Sequence, residues 1–320
     1  YYIRLAPGVR ASKLDRLLED VGLALGAQSV PTGTLLMKKG LYKLSVQREE
    51  VASPTFSQML SEYKEDFYAP IFVGVSESGS LIYKDLNKLP NLIVGGTTGS
   101  GKSVLLHSFI MSLLKSDAKL YLCDPKMVEF QRYSRYNAVN SVANSVLETS
   151  AVIAELTKLM NSRFSALRKK GFRSASEMHK QIPGSMPPVC LIIDEWADLV
   201  LQDKSLQRQL AILAQKGRAA GISIILATQR PAASVISGLI KANFPGRIAL
   251  RVASAVDSRV ILDKSGAEKI DDIGMGLMLD ATGSAPLLFR APNIQNIDSE
   301  LKALGLKKSR VSGIFSIFGF

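Results

Sequence analysis
The sequence predicts an α/β fold in which a mostly parallel sheet is covered by helices and preceded by a small α/β domain. Three observations carry this. From Leu89 onward, short apolar runs rich in β-branched residues alternate with helix-length stretches, the spacing of right-handed β-α-β crossovers. One run, Asn91-Leu92-Ile93-Val94, passes through a glycine-rich loop into an apolar-periodic helix. Hydrophobic residues make up 47% of 320, ample for a buried core. That length suits two domains, which the sequence divides into 1–69 and 70–320.

The first segment reads as follows. Pro7-Gly8 makes a turn, and Ser12 with Asp15 resembles a capping box, Asp replacing the usual Glu or Gln. Leu14, Leu17, Leu18, Val21 and Leu25 then trace one helical face until Gly26. Strand-like runs follow at 34–37 and 41–46, separated by Lys38-Lys39-Gly40. Pro70 and the Gly/Ser-containing stretch 74–80 mark the boundary. In the second segment, strands are expected at 92–94, 120–123, 189–193, 222–227 and 248–252, with the longest helix near 141–168. Ligands on such sheets bind at the carboxyl ends of the strands, where the polar motifs of this chain fall.

The loop Gly96-Thr97-Thr98-Gly99-Ser100-Gly101-Lys102-Ser103 fits G-x-x-x-x-G-K-S between a strand and a helix, the context of a phosphate-binding P-loop. Its glycines let successive N–H groups face one anion at the positive end of the helix that runs on through Val104. Lys102 is expected to reach the β- and γ-phosphates of ATP, and the Ser103 hydroxyl to help hold Mg²⁺. Val189-Cys190-Leu191-Ile192-Ile193-Asp194-Glu195 is an apolar strand ending in two acids, a Walker B pattern. Asp194 would orient Mg²⁺ and Glu195 would polarise the attacking water. Alone, the two acids could equally cap the next helix; joined to the P-loop, the catalytic reading wins. Gln229, ending the following strand, reads as a γ-phosphate sensor or as a strand-end cap. Asp124-Pro125-Lys126 ends another strand near the site and reads as a loop that couples nucleotide state to its neighbours. His107 is expected on an ordinary helix face, Trp196 as packing, and neither His107 nor His179 has partners for a triad or metal set.

Net charge is +12, from 40 Lys and Arg against 28 Asp and Glu. This excess suits a polyanionic partner, whereas Arg168-Lys169-Lys170 with Arg173, and Lys307-Lys308 with Arg310, read singly as solvated helix ends. No apolar run reaches the length of a membrane span; the apolar 312–320 is too short. Cys123 and Cys190 fall inside predicted strands, as buried free thiols suiting a reducing cytosol. The chain opens on Tyr1 rather than Met, so a membrane anchor upstream stays open.

Together the motifs resemble the motor region of the FtsK/SpoIIIE family of DNA translocases. The matching segments begin with the P-loop through Val104, Asp124-Pro125-Lys126 and Asp194-Glu195-Trp196-Ala197-Asp198-Leu199. They continue with Gln215-Lys216-Gly217-Arg218-Ala219-Ala220-Gly221-Ile222, Ala227-Thr228-Gln229-Arg230-Pro231 and Gly238-Leu239-Ile240-Lys241-Ala242-Asn243. Asp257-Ser258-Arg259 and Gly266-Ala267-Glu268-Lys269 complete the series, and Ala6-Pro7-Gly8-Val9 resembles the start of the family's small preceding domain.

The resemblance implies a RecA-like P-loop ATPase that moves double-stranded DNA through a homohexameric ring, as in chromosome segregation or DNA transfer. It implies a cytoplasmic motor, tethered to a membrane only through sequence absent here. It also implies nucleotide bound between subunits, with an arginine acting in trans. Arg218, Arg247 and Arg251 are candidates, and Arg247 matches the arginine after the family's Lys-Ala-Asn-x-Pro segment. Arg259 stands at a pore-loop contact to DNA, with Lys264 and Lys269 as neighbours; plain surface charge pairing is the competing reading. The alternative function is a type VII-like protein-secretion ATPase with a polypeptide substrate. A third, a binding protein without hydrolysis, is opposed by the intact Lys102, Ser103, Asp194 and Glu195.

The chain departs from the pattern in places. His107 replaces the usual Asn and Asn91 the usual His, and Gly274-Met275-Gly276-Leu277-Met278-Leu279 lacks the family's Asp. The roughly thirty residues after Arg290 are too few for the DNA-reading winged-helix module. These departures count against sequence-guided loading and chromosome-dimer resolution and leave a plasmid, phage or conjugative role open.

Overall fold
In a computed structural model of the chain, residues 1–27, 30–37, 40–46, 53–280 and 285–308 are described. Contacts divide the chain into two units, Tyr1–Ala52 and Ser53–Phe320. The Lys38-Lys39 pair expected between two strands, Arg310 and the apolar tail at 312–320 lie outside the described residues. No helix among the described residues is long and apolar enough to cross a membrane.

The first unit holds β1 (Tyr2–Ile3), α1 (Ala11–Asp15), α2 (Leu18–Ala24), β2 (Thr32–Leu36) and β3 (Leu41–Ser45). Its strands pair antiparallel in the order β1-β3-β2. The single helix expected from the Leu14–Leu25 periodicity is broken between α1 and α2. Ser12 is no cap, because α1 begins one residue earlier with Arg10 at the N-cap and no capping side chain. Asp15 instead accepts a 2.5 Å hydrogen bond from the buried Tyr42 hydroxyl, a long-range bond that outweighs the local capping pattern.

The second unit begins before the expected boundary at 69/70. Thr55 caps α3 (Phe56–Glu62) through a full capping box: its hydroxyl accepts from Gln58 N at 3.1 Å, and its own N–H donates to Gln58 Oε1 at 2.9 Å. Phe56 and Met59 are wholly buried here, with Phe56 stacked on Phe72 at 5.4 Å between centroids. The Pro/Gly/Ser-rich stretch that resembles a linker is a hairpin of β4 (Pro70–Ser76) and β5 (Leu81–Asp85). After it come β6 (Asn91–Gly95), α4 (Lys102–Lys115), β7 (Lys119–Cys123) and β8 (Val139–Ala143). The chain then runs through α5 (Val146–Lys170), α6 (Ala175–Gln181), β9 (Val189–Ile193), α7 (Trp196–Val200), α8 (Ser205–Gly217) and β10 (Ile222–Thr228). It closes with α9 (Gly238–Asn243), β11 (Gly246–Leu250), α10 (Ala255–Leu262), β12 (Met275–Leu279), β13 (Leu287–Arg290) and α11 (Ile297–Ala303).

These strands form one sheet in the order β5-β4-β13-β12-β11-β6-β10-β9-β7-β8. From β11 to β8 every ladder is parallel; from β11 out to β5 every ladder is antiparallel. The predicted parallel sheet is therefore present, extended by an antiparallel wing. Successive residues of the central strands enter opposite cores. Leu92, Val94, Leu120, Leu122, Cys190 and Ile192 pack with α4, while Ile93, Tyr121, Cys123, Leu191 and Ile193 pack with α5, α7 and α8. Burial on both faces explains why these strands read as continuous apolar runs. It also puts the two free cysteines in different cores, where burial pushes the Cys123 thiol up to about 12 and the Cys190 thiol up as well.

Helix ends follow local rules. Ser145 caps α5 by accepting from Glu148 N, Gly171 closes it in the left-handed region, and Arg168, Lys169 and Lys170 are exposed in its last turn. Cations are favoured at that end, so the cluster is the solvated helix terminus expected from sequence.

Gly74 sits at the β4 bulge with φ +143°, and a Cβ there would lie 1.9 Å from the Arg290 carbonyl oxygen of β13. Gly74→Ala is expected to cost about 3 kcal/mol in urea unfolding. Gly79→Ala, also at positive φ but with open space around it, is expected to cost about 1 kcal/mol. Equal losses would mean that β13 yields to the added methyl.

Candidate functional site
Order in the sheet brings the motifs together. β10 lies between β6 and β9, with Thr228 level with Gly95 and Leu226 level with Ile193. Continuing that register one and two residues past β9 sets Asp194 and Glu195 beside the end of β10 and the start of the P-loop.

The loop is anchored from below. Gly96 N donates to Thr228 O at 3.3 Å, Thr97 N to Arg251 O at 2.9 Å, and Gly274 N to Ser100 O at 2.9 Å. Ser100 is fully buried, and its hydroxyl would lie 2.5 Å from a Cβ on Gly96, so close approach rather than a special φ demands that glycine. The Ser100 side chain thus faces the loop's underside, leaving its backbone to face a ligand. Gly101 is the N-cap of α4 at φ +95°, and a Cβ there would meet the Gly274 backbone at 3.1 Å. Thr98 and Gly99 are exposed at the tip, Val104 packs into the α4 core, and α4 presents its free N–H groups to the loop.

Lys102 is buried with its ammonium 2.6 Å from Asp194 Oδ1 and 2.8 Å from the Asp194 carbonyl. Glu195 is also buried. Its Oε1 accepts from the Thr228 hydroxyl at 2.6 Å and its Oε2 from Gln229 N at 2.9 Å. The Gln229 side chain accepts from Thr98 at 2.9 Å, linking the end of β10 to the tip of the loop. Lys126 reaches Glu195 at 3.9 Å and Asp198 at 3.5 Å, which places the Asp124-Pro125-Lys126 segment at the site. Trp196 packs as expected, donating to Val235 O.

Sequence reasoning missed a second layer. His107 is buried one turn beyond Ser103, its Nδ1 2.7 Å from the Tyr133 hydroxyl and its Nε2 3.1 Å from Glu129. It is therefore a core residue and not an ordinary helix-face one. Asp124 Oδ2 accepts from Glu129 N at 2.9 Å and Phe130 N at 2.8 Å, holding Glu129 against α4. The hydrogen bond from His107 drops the Glu129 carboxyl to about 2 against the opposing effect of burial, aided by the Ser103 hydroxyl and the Lys102 charge. The i, i+4 spacing of Ser103 and His107 was the available signal; the loop that delivers Glu129 has none. Thr228, whose hydroxyl holds Glu195, was also missed.

Ser103 and Asp194 offer a hydroxyl and a carboxylate, hard oxygen donors of the kind magnesium takes together with phosphate oxygens. No group of three or more His, Cys, Asp or Glu among the described residues could hold a metal unaided. One hydroxyl and one carboxylate fit a cation whose other ligands are phosphate oxygens and water.

Arg247 does not join this cluster. It lies on β11 opposite Ile93, three residues short of the end of β11, and bonds Asp263 and the carbonyls of Phe244 and Lys241. Arg218 donates to Asn87 O and Arg251 to Asp271 O. Arg259, Lys264 and Lys269 are exposed on α10 and the segment after it.

A sequence profile of the FtsK/SpoIIIE family matches residues 59–233. The DNA translocase FtsK of Streptococcus pneumoniae (strain ATCC BAA-255 / R6) is 37% identical over 300 residues, covering 87% of this chain and 38% of that protein. The DNA translocase FtsK of Chlamydia muridarum (strain MoPn / Nigg) is 35% identical over 302 residues, covering 88% and 38%. The chain thus spans well under half the length of these relatives. Among solved structures, the pCW3 conjugation coupling protein TcpA, in its monomer form with ATPγS, superposes with a TM-score of 0.72 at 25% identity, covering 92% of this chain and 87% of TcpA. The cytoplasmic domain of the Thermomonospora curvata type VII secretion ATPase EccC has a TM-score of 0.69 at 21% identity, covering 79% and 34%, a likeness of fold.

The depressed Glu129 carboxyl contributes stability that is complete above its unfolded value of 4.5 and is lost as pH falls toward about 2. Glu129→Gln is therefore expected to cost about 2 kcal/mol at pH 7, after allowance for partial exposure. In urea unfolding the gap from wild type should narrow steadily below pH 4.5. A gap independent of pH would assign the loss to packing.

Proposed function
The chain belongs to the FtsK/SpoIIIE family, and we propose that it is the motor portion of an ATP-driven translocase of double-stranded DNA. The observation that carries this is the buried juxtaposition of Lys102, Asp194 and Glu195 beneath a P-loop at the centre of the sheet. A buried lysine next to an open anion cradle is suited to exchange Asp194 for phosphate oxygens. Once released, the Asp194 carboxylate would, with the Ser103 hydroxyl, hold Mg²⁺. Bound Mg²⁺ would supply neutralisation of the charge on the β- and γ-phosphates.

Glu195 is the proposed base that polarises the attacking water. Its two oxygens are held by Thr228 and the Gln229 N–H, which fix its orientation in a water-poor setting. Gln229, bridging Thr98 and the end of β10, is placed in the mechanism as the γ-phosphate sensor. The backbone of Gly96, Thr97, Thr98, Gly99, Ser100 and Gly101 is the proposed phosphate cradle. An arginine from a neighbouring copy in a hexameric ring completes the site, and Arg247 is our assignment for it.

The net charge of +12 supports a polyanion as substrate over a polypeptide. Arg259, Lys264 and Lys269 are the proposed phosphate contacts, which position a duplex without reading its bases. Chromosome segregation and DNA transfer both fit such a motor.

The test is Mg²⁺-dependent ATP hydrolysis with and without linear duplex DNA. Lys102→Ala is expected to lose nucleotide affinity. Glu195→Gln is expected to keep affinity while its turnover falls by about 10²-fold or more. Duplex DNA should raise the wild-type rate, and an unfolded polypeptide should not. Stimulation by the polypeptide alone would transfer the assignment to a secretion ATPase.

A further inference from the structure
Among the described residues only two other than glycine have positive φ, Met127 and Asp263. Asp263, at φ +57°, is the C-cap of α10, its N–H donating to Arg259 O at 3.0 Å. Its carboxylate is spent on two cations. Oδ1 lies 2.6 Å from Lys241 Nζ, and Oδ2 pairs with Arg247 Nη1. Lys241 Nζ also donates to Arg259 O at 3.3 Å, joining α9 to the same helix end.

From the side of Arg247 the arrangement is closed. Nη1 bonds Asp263, Nη2 donates to Lys241 O at 3.3 Å and Nε to Phe244 O at 3.3 Å. Each of the three guanidinium nitrogens thus makes a hydrogen bond within the chain, and the side chain is only 13% exposed. An arginine so held cannot extend toward a second copy without leaving Asp263. Burial alone would push the Asp263 carboxyl up, but the hydrogen bonds from Lys241 and Arg247 outweigh it and keep it below the usual range.

We propose that Asp263 is the positioning residue for Arg247, a latch that retains the arginine in its own subunit until duplex DNA engages Arg259 and shifts the end of α10. This rests on the reading of Arg247 and Arg259 given above and adds to it the link between them. The physical reason is that one residue, at the turn where α10 stops, bonds the arginine while its backbone closes the helix that carries Arg259. A small rotation of that helix end moves the carboxylate directly, and two ionic contacts part together.

The experiment compares Asp263→Asn with wild type in ATP hydrolysis with and without linear duplex DNA, alongside DNA affinity and thermal unfolding. Asparagine tolerates the left-handed conformation, so the helix end is preserved while the charge is lost. The expected result is a higher rate without DNA and a stimulation ratio reduced about tenfold, a coupling of ordinary size between sites. DNA affinity should stay within twofold of wild type, since Arg259 is intact. In Arg247→Ala protein the added Asp263→Asn change should have no further effect, because the latch would have nothing to hold.

An unchanged stimulation ratio overturns the latch, as does a parallel fall of both rates with the melting temperature, which is what a purely structural role produces. If Arg247→Ala keeps the full stimulated rate, the trans-arginine reading falls and the latch with it. If Arg247→Ala loses that rate while Asp263→Asn keeps the wild-type ratio, the latch alone falls.

Discussion
The buried ion pair of Lys102 and Asp194 is the contact on which the site depends. Both side chains are nearly wholly excluded from solvent, where an isolated charge is costly and a paired one roughly breaks even against apolar packing. Such a pair is a poor source of net stability, because desolvation offsets the attraction, yet removing either partner leaves a bare buried charge and costs about 3–5 kcal/mol. Its value is that it can be exchanged. A phosphate entering the loop would offer Lys102 a second anion, and the freed Asp194 carboxylate would be one of the groups to hold Mg²⁺. The ion pair keeps both groups aimed into the site before any ligand is present.

The sheet holds that pair in place. Parallel strands with both faces covered leave polar side chains free only at strand ends, so β6, β10 and β9 bring the P-loop, Gln229 and the two acids to one edge. The hydrogen bonds of Thr228 and the Gln229 N–H to Glu195 then tie the third strand to the second, while Thr98 ties the loop tip to Gln229. These contacts, of 2.6 to 2.9 Å, link the three ends directly. The antiparallel wing does a different job. Gly274, at the start of β12, holds the P-loop from outside through Ser100, and the segment leading to it follows α10 and the exposed lysines.

Much of this was legible in the sequence, for a physical reason. Central strands buried on both faces must be continuous apolar runs, and a phosphate cradle needs glycine at fixed spacing; both constraints are local. Thus Lys102, Ser103, Asp194, Glu195 and Gln229 could be located one motif at a time. What escaped depends on contacts far apart in the chain. The β4–β5 hairpin was hidden because a hairpin turn and a linker share the same Gly/Ser composition. Asp15 looked like a cap, but its partner is Tyr42. His107 read as an ordinary helix-face residue, but Glu129 and Tyr133, delivered by the loop after β7, pair with it in the core. Arg247 was found as a residue, but its tie to Asp263 could be seen only once β11 and the end of α10 were folded together.

Strand displacement from a triplex tests most directly whether hydrolysis at this site moves the protein along duplex DNA. A third strand annealed to linear duplex should be released by the wild-type protein with ATP and Mg²⁺, and by neither the Glu195→Gln protein with ATP nor the wild type with a non-hydrolysable analogue. Release that proceeds without hydrolysis, or DNA-stimulated hydrolysis that leaves the third strand in place, would contradict the account.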